Sequence, residues 1–182
     1  PMRGAVIHAD KINAVSITNC AEMLTPLGGF DLYEDYCARI ADFIGVGNGI
    51  DAGKWNPVGE KEKPIKKVLM QAKLGFEVNK HILLFGMVAR IAAQKGVKHI
   101  VRVIEKVLEE TNGGVQFIYL GKGNAKDPYY WSTKVELEAL QARWPKNIHY
   151  FGKYTTAEQI HVFNALDIFL YPSEFEPFGT KP

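Results

Sequence analysis

The feature that most restricts how this chain can fold is an alternation that begins near His81 and holds almost to the last residue. Short apolar runs occur at residues 82–85 (with Met87 and Val88), 115–120, 148–151 and 168–171. None of them alternates with polar residues, and stretches of helical spacing separate them. Val97, Ile100, Val101, Ile104, Val107 and Leu108 trace one face of a helix that stops at Gly113-Gly114. Asp127-Pro128 reads as an N-cap followed by proline at the first helical position, opening a helix to about Trp144. Thr155 and Glu158 fit a capping box for a third helix with Ile160, Phe163 and Leu166 on its apolar side. Strands apolar on both faces need cover on both faces, and parallel neighbours need helical crossovers. The predicted class is therefore α/β: a Rossmann-like parallel sheet with helices on both sides.

The first 80 residues are less regular. Residues 12–16 alternate like a short strand, residues 16–19 offer helix starts, and Pro26, Gly28 and Gly29 break the chain. Too few periodic segments occur here to enclose a core, so this block is expected to lean on other polypeptide. A second break follows at residues 45–49, where Asn48-Gly49 is a turn dipeptide. Ile65, Val68, Leu69 and Ala72 are spaced i, i+3, i+4, i+7 and predict a helix ending at Gly75 with that stripe inward. Lys66, Lys67 and Lys73 then fall on its solvated side.

Composition excludes several functions. A net charge of +2 is too small to argue for nucleic acid or an anionic membrane surface. No apolar run approaches the roughly 20 residues that span a bilayer. Cys20 and Cys37 have no metal-ligand or C-x-x-C spacing and read as free thiols. The five histidines have no zinc spacing, and no G-x-S-x-G elbow occurs.

In a sheet of this class ligands bind beyond the carboxyl ends of the strands, where four loops fall. Arg90 and Lys95 stand five residues apart just before Gly96 opens a helix. Two cations there form a ready anion site, although such residues are also ordinary on surface loops. Gly121-Lys122-Gly123 lacks the third glycine of a dinucleotide fingerprint and reads as a tight strand-to-helix turn. Tyr154, in Gly152-Lys153-Tyr154, is placed either to stack on a base or to pack. The last loop, Tyr171-Pro172-Ser173-Glu174-Phe175-Glu176-Pro177-Phe178-Gly179, carries two carboxylates two residues apart. In an extended segment these share a face, roughly 6–7 Å apart. Glycoside hydrolases take their carboxylate pair from different elements, which weighs against hydrolysis.

Together these segments resemble the bacterial glycogen synthase and plant starch synthase family of retaining glycosyltransferases with the GT-B fold. Residues 9–16, ADKINAVS, are similar to that family's A-D-x-V-x-x-V-S segment. Residues 46–51, VGNGID, with Trp55-Asn56-Pro57, are similar to its N-G-I-D…W-N-P connection. Gly86 to Arg90 with Gln94-Lys95-Gly96 resemble its G-x-x-x-R…Q-K-G element, and residues 172–179 its P-S-x-F-E-P-x-G loop. Four matches in order, at compatible spacing, make the resemblance specific.

The resemblance implies roles residue by residue. Arg90 and Lys95 would hold the diphosphate of ADP-glucose, and Glu176 would lie beside the transferred glucose. Phe178 and Gly179 would line the sugar pocket, and Tyr154 would sit near the adenine. It also implies an α-glucan acceptor, no cofactor or metal, and no nucleic-acid or membrane partner. The compartment would be cytoplasm in a bacterium, plastid in a plant or alga. Residues 1–45 would be a remnant of the acceptor-side lobe, and residues 46–182 part of the nucleotide-sugar lobe. The chain ends in Thr180-Lys181-Pro182 where the family continues into a helix. A fragment inactive by itself is thus expected. Two rivals are another retaining GT-B transferase, of the sucrose synthase or trehalose-forming kind, and a non-catalytic glucan- or nucleotide-binding module. The residue-level expectation is that Arg90, Lys95 and Glu176 surround one cavity.

Overall fold

The computed structural model describes residues 1–177, which divide into two compact units. The first contains Pro1–Lys54 with Glu176 and Pro177. It opens with helix α1 (Met2–His8) and strand β1 (Ile12–Ala14), then α2 (Ile17–Met23), α3 (Pro26–Gly29), α4 (Tyr33–Ala38) and strand β2 (Phe43–Gly45). Ser16 caps α2, its hydroxyl accepting from the Asn19 N–H at 2.9 Å. The two strands pair in parallel, Ile12 opposite Phe43.

Three expectations for this region are corrected. The Pro26–Gly29 segment is a helical turn rather than a break, because Thr25 accepts from the Gly28 N–H and proline suits the first helical position. The unit also has a small core of its own, in which Val6, Ala14, Cys20, Tyr36 and Phe43 are buried. Tyr36 and Phe43 stack there with ring centroids 5.0 Å apart. Helix α1, too short to show a period, supplies Val6. Arg39 ties it down by donating to the carbonyls of Val6 at 2.9 Å, Ile7 at 2.6 Å and Ala9 at 2.6 Å. Finally, Asn48-Gly49 makes no left-handed turn, since neither residue has positive φ.

The second unit, Trp55–Phe175, contains helix α5 (Lys63–Leu74) and the alternating series. That series runs β3 (Leu83–Val88), α6 (Val97–Glu110), β4 (Val115–Leu120), α7 (Pro128–Arg143), β5 (Ile148–Phe151), α8 (Thr156–Ala165) and β6 (Ile168–Phe169). The four strands form one parallel sheet in the order β5-β4-β3-β6. Both predicted N-caps are in place: Asp127 accepts from the Tyr129 N–H at 2.9 Å, and Thr155 and Glu158 form the reciprocal capping box.

Strand β4 is buried along its whole length. Its Phe117 and Tyr119 join a core with Val101, Ile104 and Leu108 of α6 and Leu137 and Leu140 of α7. Its Ile118 and Leu120 join a second core with Met70 of α5 and Val162 and Ala165 of α8. Alternate side chains of one strand thus supply both cores, as a doubly covered sheet requires.

Two details differ from the sequence reading. The expected inward stripe of α5 faces out, with Ile65 and Leu69 each 59% exposed, while Lys67, Met70 and Gln71 are buried. Its polar members are satisfied, which is what makes their burial tolerable. Gln71 Nε2 donates to Gln116 Oε1 at 2.8 Å and to the Asn79 carbonyl at 2.9 Å, and Gln71 Oε1 accepts from the Asn79 N–H. Lys67 lies against Asp167, with Nζ to Oδ2 at 2.5 Å. Strand β6 is also shorter than expected, with two residues in register against β3.

Candidate functional site

From β3 the chain steps outward to β4 and β5, then returns to place β6 on the opposite side of β3. The loops leaving β3 and β6 therefore meet where the winding reverses, the position at which open α/β sheets take ligands.

The loop after β3 is rigidly held. The Ala89 N–H donates to Leu120 and the Ile91 N–H to Lys122, each at 3.1 Å, so the ladder continues past the strand ends and fixes Arg90 between two anchored neighbours. Beneath it, the fully buried Tyr119 donates its hydroxyl to the Ala89 carbonyl at 2.9 Å. Burial drives that phenol's pKa far above its ordinary value, so it remains a donor. Gly121 and Gly123 allow the neighbouring loop to close on this one, since a Cβ at Gly123 would stand 2.7 Å from the Ile91 carbonyl oxygen. Their function here is close packing of two loops.

Ala93–Lys95 then form a single 3₁₀ turn, and Gly96 reverses the chain into α6 with φ of +64°. Three contacts join this segment to the loop after β6. The Gln94 carbonyl accepts from the Glu174 N–H at 2.9 Å, and Gln94 Nε2 donates to the Phe175 carbonyl at 2.7 Å. Gly96 lies beneath Pro172, where a Cβ would stand 2.6 Å from the Pro172 oxygen. A fourth contact involves Lys95, whose Nζ is 5.9 Å from the centroid of the Tyr171 ring, near the outer limit for a cation–π pair.

The structure thus brings the Arg90 and Lys95 loop together with residues 171–175. Arg90 is exposed and Lys95 half-buried. Tyr154 is on neither loop. It follows β5, two strands from β3, roughly 10 Å away at the usual strand spacing, and is half-buried against the core of α5 and α8. Glu174 is exposed on the second loop. Glu176 belongs to the first compact unit and is half-buried. Phe178 and Gly179 lie outside the described residues.

Sequence reasoning missed Gln94, Gly96 and Tyr171 as the residues that join the loops. A glycine following a polar pair at a strand-to-helix junction was a signal for close approach, but nothing in the spacing names its partner. Among the described residues no group of three or more histidine, cysteine or acidic side chains could hold a metal ion. His149 is half-buried against Phe151, and burial followed by the charge of Lys73 lowers its pKa, so it stays neutral. No helix of the described residues is long and apolar enough to cross a membrane.

Comparison with known proteins gives this geometry a family. The chain is 32% identical to the glycogen synthase of Oceanobacillus iheyensis over 99% of its own length and 38% of that protein. It is 31% identical to glycogen synthase 2 of Geobacter sulfurreducens, with the same shares covered. The catalytic domain of starch synthase IV from Arabidopsis thaliana, solved bound to ADP and acarbose, superposes with a TM-score of 0.84 at 29% identity, covering 98% of this chain and 38% of that one. An Anabaena protein in complex with UDP, at 18% identity and a TM-score of 0.63, shares the fold. The resemblance to glycogen and starch synthases and the GT-B fold class therefore both hold, and the chain spans 38% of the length of these curated relatives. Residues 69–182 match the family of glycosyl transferases group 1, and the chain belongs to that family.

Proposed function

We propose that this chain is a fragment of an ADP-glucose-dependent (1→4)-α-glucan synthase, a hexosyltransferase, and carries part of its nucleotide-sugar lobe. The whole enzyme would move glucose to the non-reducing end of an α-glucan with retention of configuration. The observation that carries the reading is the junction of the β3 and β6 exit loops at the reversal point of the sheet, with Arg90 and Lys95 on one of them. Residues 1–45 are read as a remnant of the acceptor-side lobe and 46–182 as part of the nucleotide-sugar lobe.

Breaking a glycosyl phosphate bond puts negative charge on phosphate and positive charge on the anomeric carbon. Arg90 and Lys95 answer the first demand by holding the diphosphate, and Glu176 answers the second. Tyr154 serves the adenine, and Phe178 and Gly179 serve the sugar. Fixed charges of this kind act without reorganising during the reaction, and losing one commonly costs about 10²–10³ in rate. The organic chemistry needs neither cofactor nor metal in this scheme. Support for a glucan product comes from the names of the relatives, and support for an adenine nucleotide from the ADP present in the starch synthase IV structure.

Titration of ADP into the chain, followed by calorimetry, tests the reading. Binding is expected, with Lys95→Ala weakening it about tenfold or more, the worth of one charge-assisted hydrogen bond. UDP should compete poorly. Binding that is absent, indifferent to Lys95→Ala, or stronger for UDP would overturn the assignment.

A further inference from the structure

The amino edge of the same sheet, opposite the ligand loops, carries a charge pair that none of the family motifs includes. Lys67, 3% exposed, extends from α5 and meets Asp167 Oδ2 at 2.5 Å. The same Nζ donates to the Lys80 carbonyl at 2.8 Å. Asp167 stands at the entrance to β6, and its Oδ2 also accepts the Leu84 N–H of β3 at 2.8 Å. Its own N–H donates to the Leu84 carbonyl at 2.9 Å. The side chain thus supplies a rung of the β3–β6 ladder that backbone supplies elsewhere.

That rung matters because β6 is so short. Beyond Asp167, two residues pair with β3, and the Leu170 N–H closes on Gly86 at 2.8 Å. One residue later Tyr171 begins the segment that rests on Gln94 and Gly96. A two-residue strand has little to fix its height along its neighbour, and a slip would unseat that segment.

We infer that Asp167 is a positioning residue: its side-chain oxygen sets the height of β6 against β3 and thereby seats residues 171–175 on the loop that carries Arg90 and Lys95, while Lys67 neutralises the carboxylate. The seating is a property of the fold. Its consequence for a nucleotide rests on the function proposed above.

Removing one partner would leave a poorly solvated charge and destabilise the unit, so single variants do not separate position from stability. Paired replacements do. Lys67→Met with Asp167→Asn removes both charges and keeps an oxygen to accept the Leu84 N–H. Lys67→Met with Asp167→Leu removes the charges and the rung. Hydrogen exchange of the Glu174 amide, which is bonded to Gln94, reads the seating in the full chain without any ligand. The Asn pair should protect this amide to within about twofold of the parent. The Leu pair should lose about tenfold in protection, as for one missing hydrogen bond, at a similar melting temperature. ADP affinity should follow the same order.

Equal protection in both pairs would overturn the inference. So would loss of protection in the Asn pair; if the Leu pair does not fold, Lys67→Met with Asp167→Ala takes its place, with the same loss expected. If the parent fails to bind ADP, the functional reading falls, while the exchange comparison still judges the positioning role.

Discussion

Two glycines with nearly the same backbone angle give a controlled test of how the ligand loops are joined. At Gly75, φ is +70° and a Cβ would have nothing within 4 Å; at Gly96, φ is +64° and a Cβ would stand 2.6 Å from the Pro172 oxygen. Alanine at either site incurs the left-handed penalty of about 1–2 kcal/mol. At Gly96 the new methyl also falls short of ordinary contact, which begins at 3.4 Å. Overpacking of this kind adds about 1–3 kcal/mol. Gly75→Ala should therefore cost about 1–2 kcal/mol and Gly96→Ala about 2–5 kcal/mol. All three tryptophans, Trp55, Trp131 and Trp144, lie in the second unit, so urea denaturation followed by their fluorescence reports on it. Where the loop moves aside instead, the excess cost shrinks and the Glu174 amide loses its protection. Equal costs for the two variants, with Glu174 still protected in Gly96→Ala, would refute the contact.

Two other outcomes are expected. Glu158 has its pKa lowered chiefly by the Thr155 backbone N–H, so the capping contribution is complete above the unfolded carboxylate pKa and is lost as pH falls through the lower folded value. Acid titration should therefore expose the first turn of α8 to exchange earlier than its middle, and Glu158→Gln should flatten that response; an unchanged profile in the variant would exclude the cap as its cause. On α5, Met70→Ala should cost about 2–5 kcal/mol, whereas Leu69→Ala should stay within about 0.5 kcal/mol; comparable losses would show that the wrong face has been taken as buried.

What the sequence revealed follows from which forces leave a local trace. Strands β4 and β5 and the starts of α7 and α8 were legible to the residue, because an uninterrupted apolar run, a proline after an N-cap and a capping box are local signals. The buried face of α5 was not. A period count rewards Ile65 and Leu69 but cannot see that Lys67 and Gln71 find partners at Asp167 and Gln116, far along the chain. The small core of the first unit was missed for a similar reason: α1 and the Pro26–Gly29 turn are too short to show a period, and Arg39 holds α1 through contacts some 30 residues away in sequence. At the candidate site, position before Gly96 offered Arg90 and Lys95 as a cationic pair able to bind an anion, yet the strand order that sets their loop beside residues 171–175 had to come from the fold.

The central claim is that the reversal point of this sheet is where a nucleoside diphosphate binds. Amide spectra of the isotopically labelled chain, recorded as ADP is added, test it residue by residue. Shifts should concentrate in residues 89–97 and 171–175 and vanish in a chain carrying Arg90→Ala with Lys95→Ala. Shifts gathered at the amino edge, around Lys80 and Asp167, or undiminished in that double variant, would contradict the account.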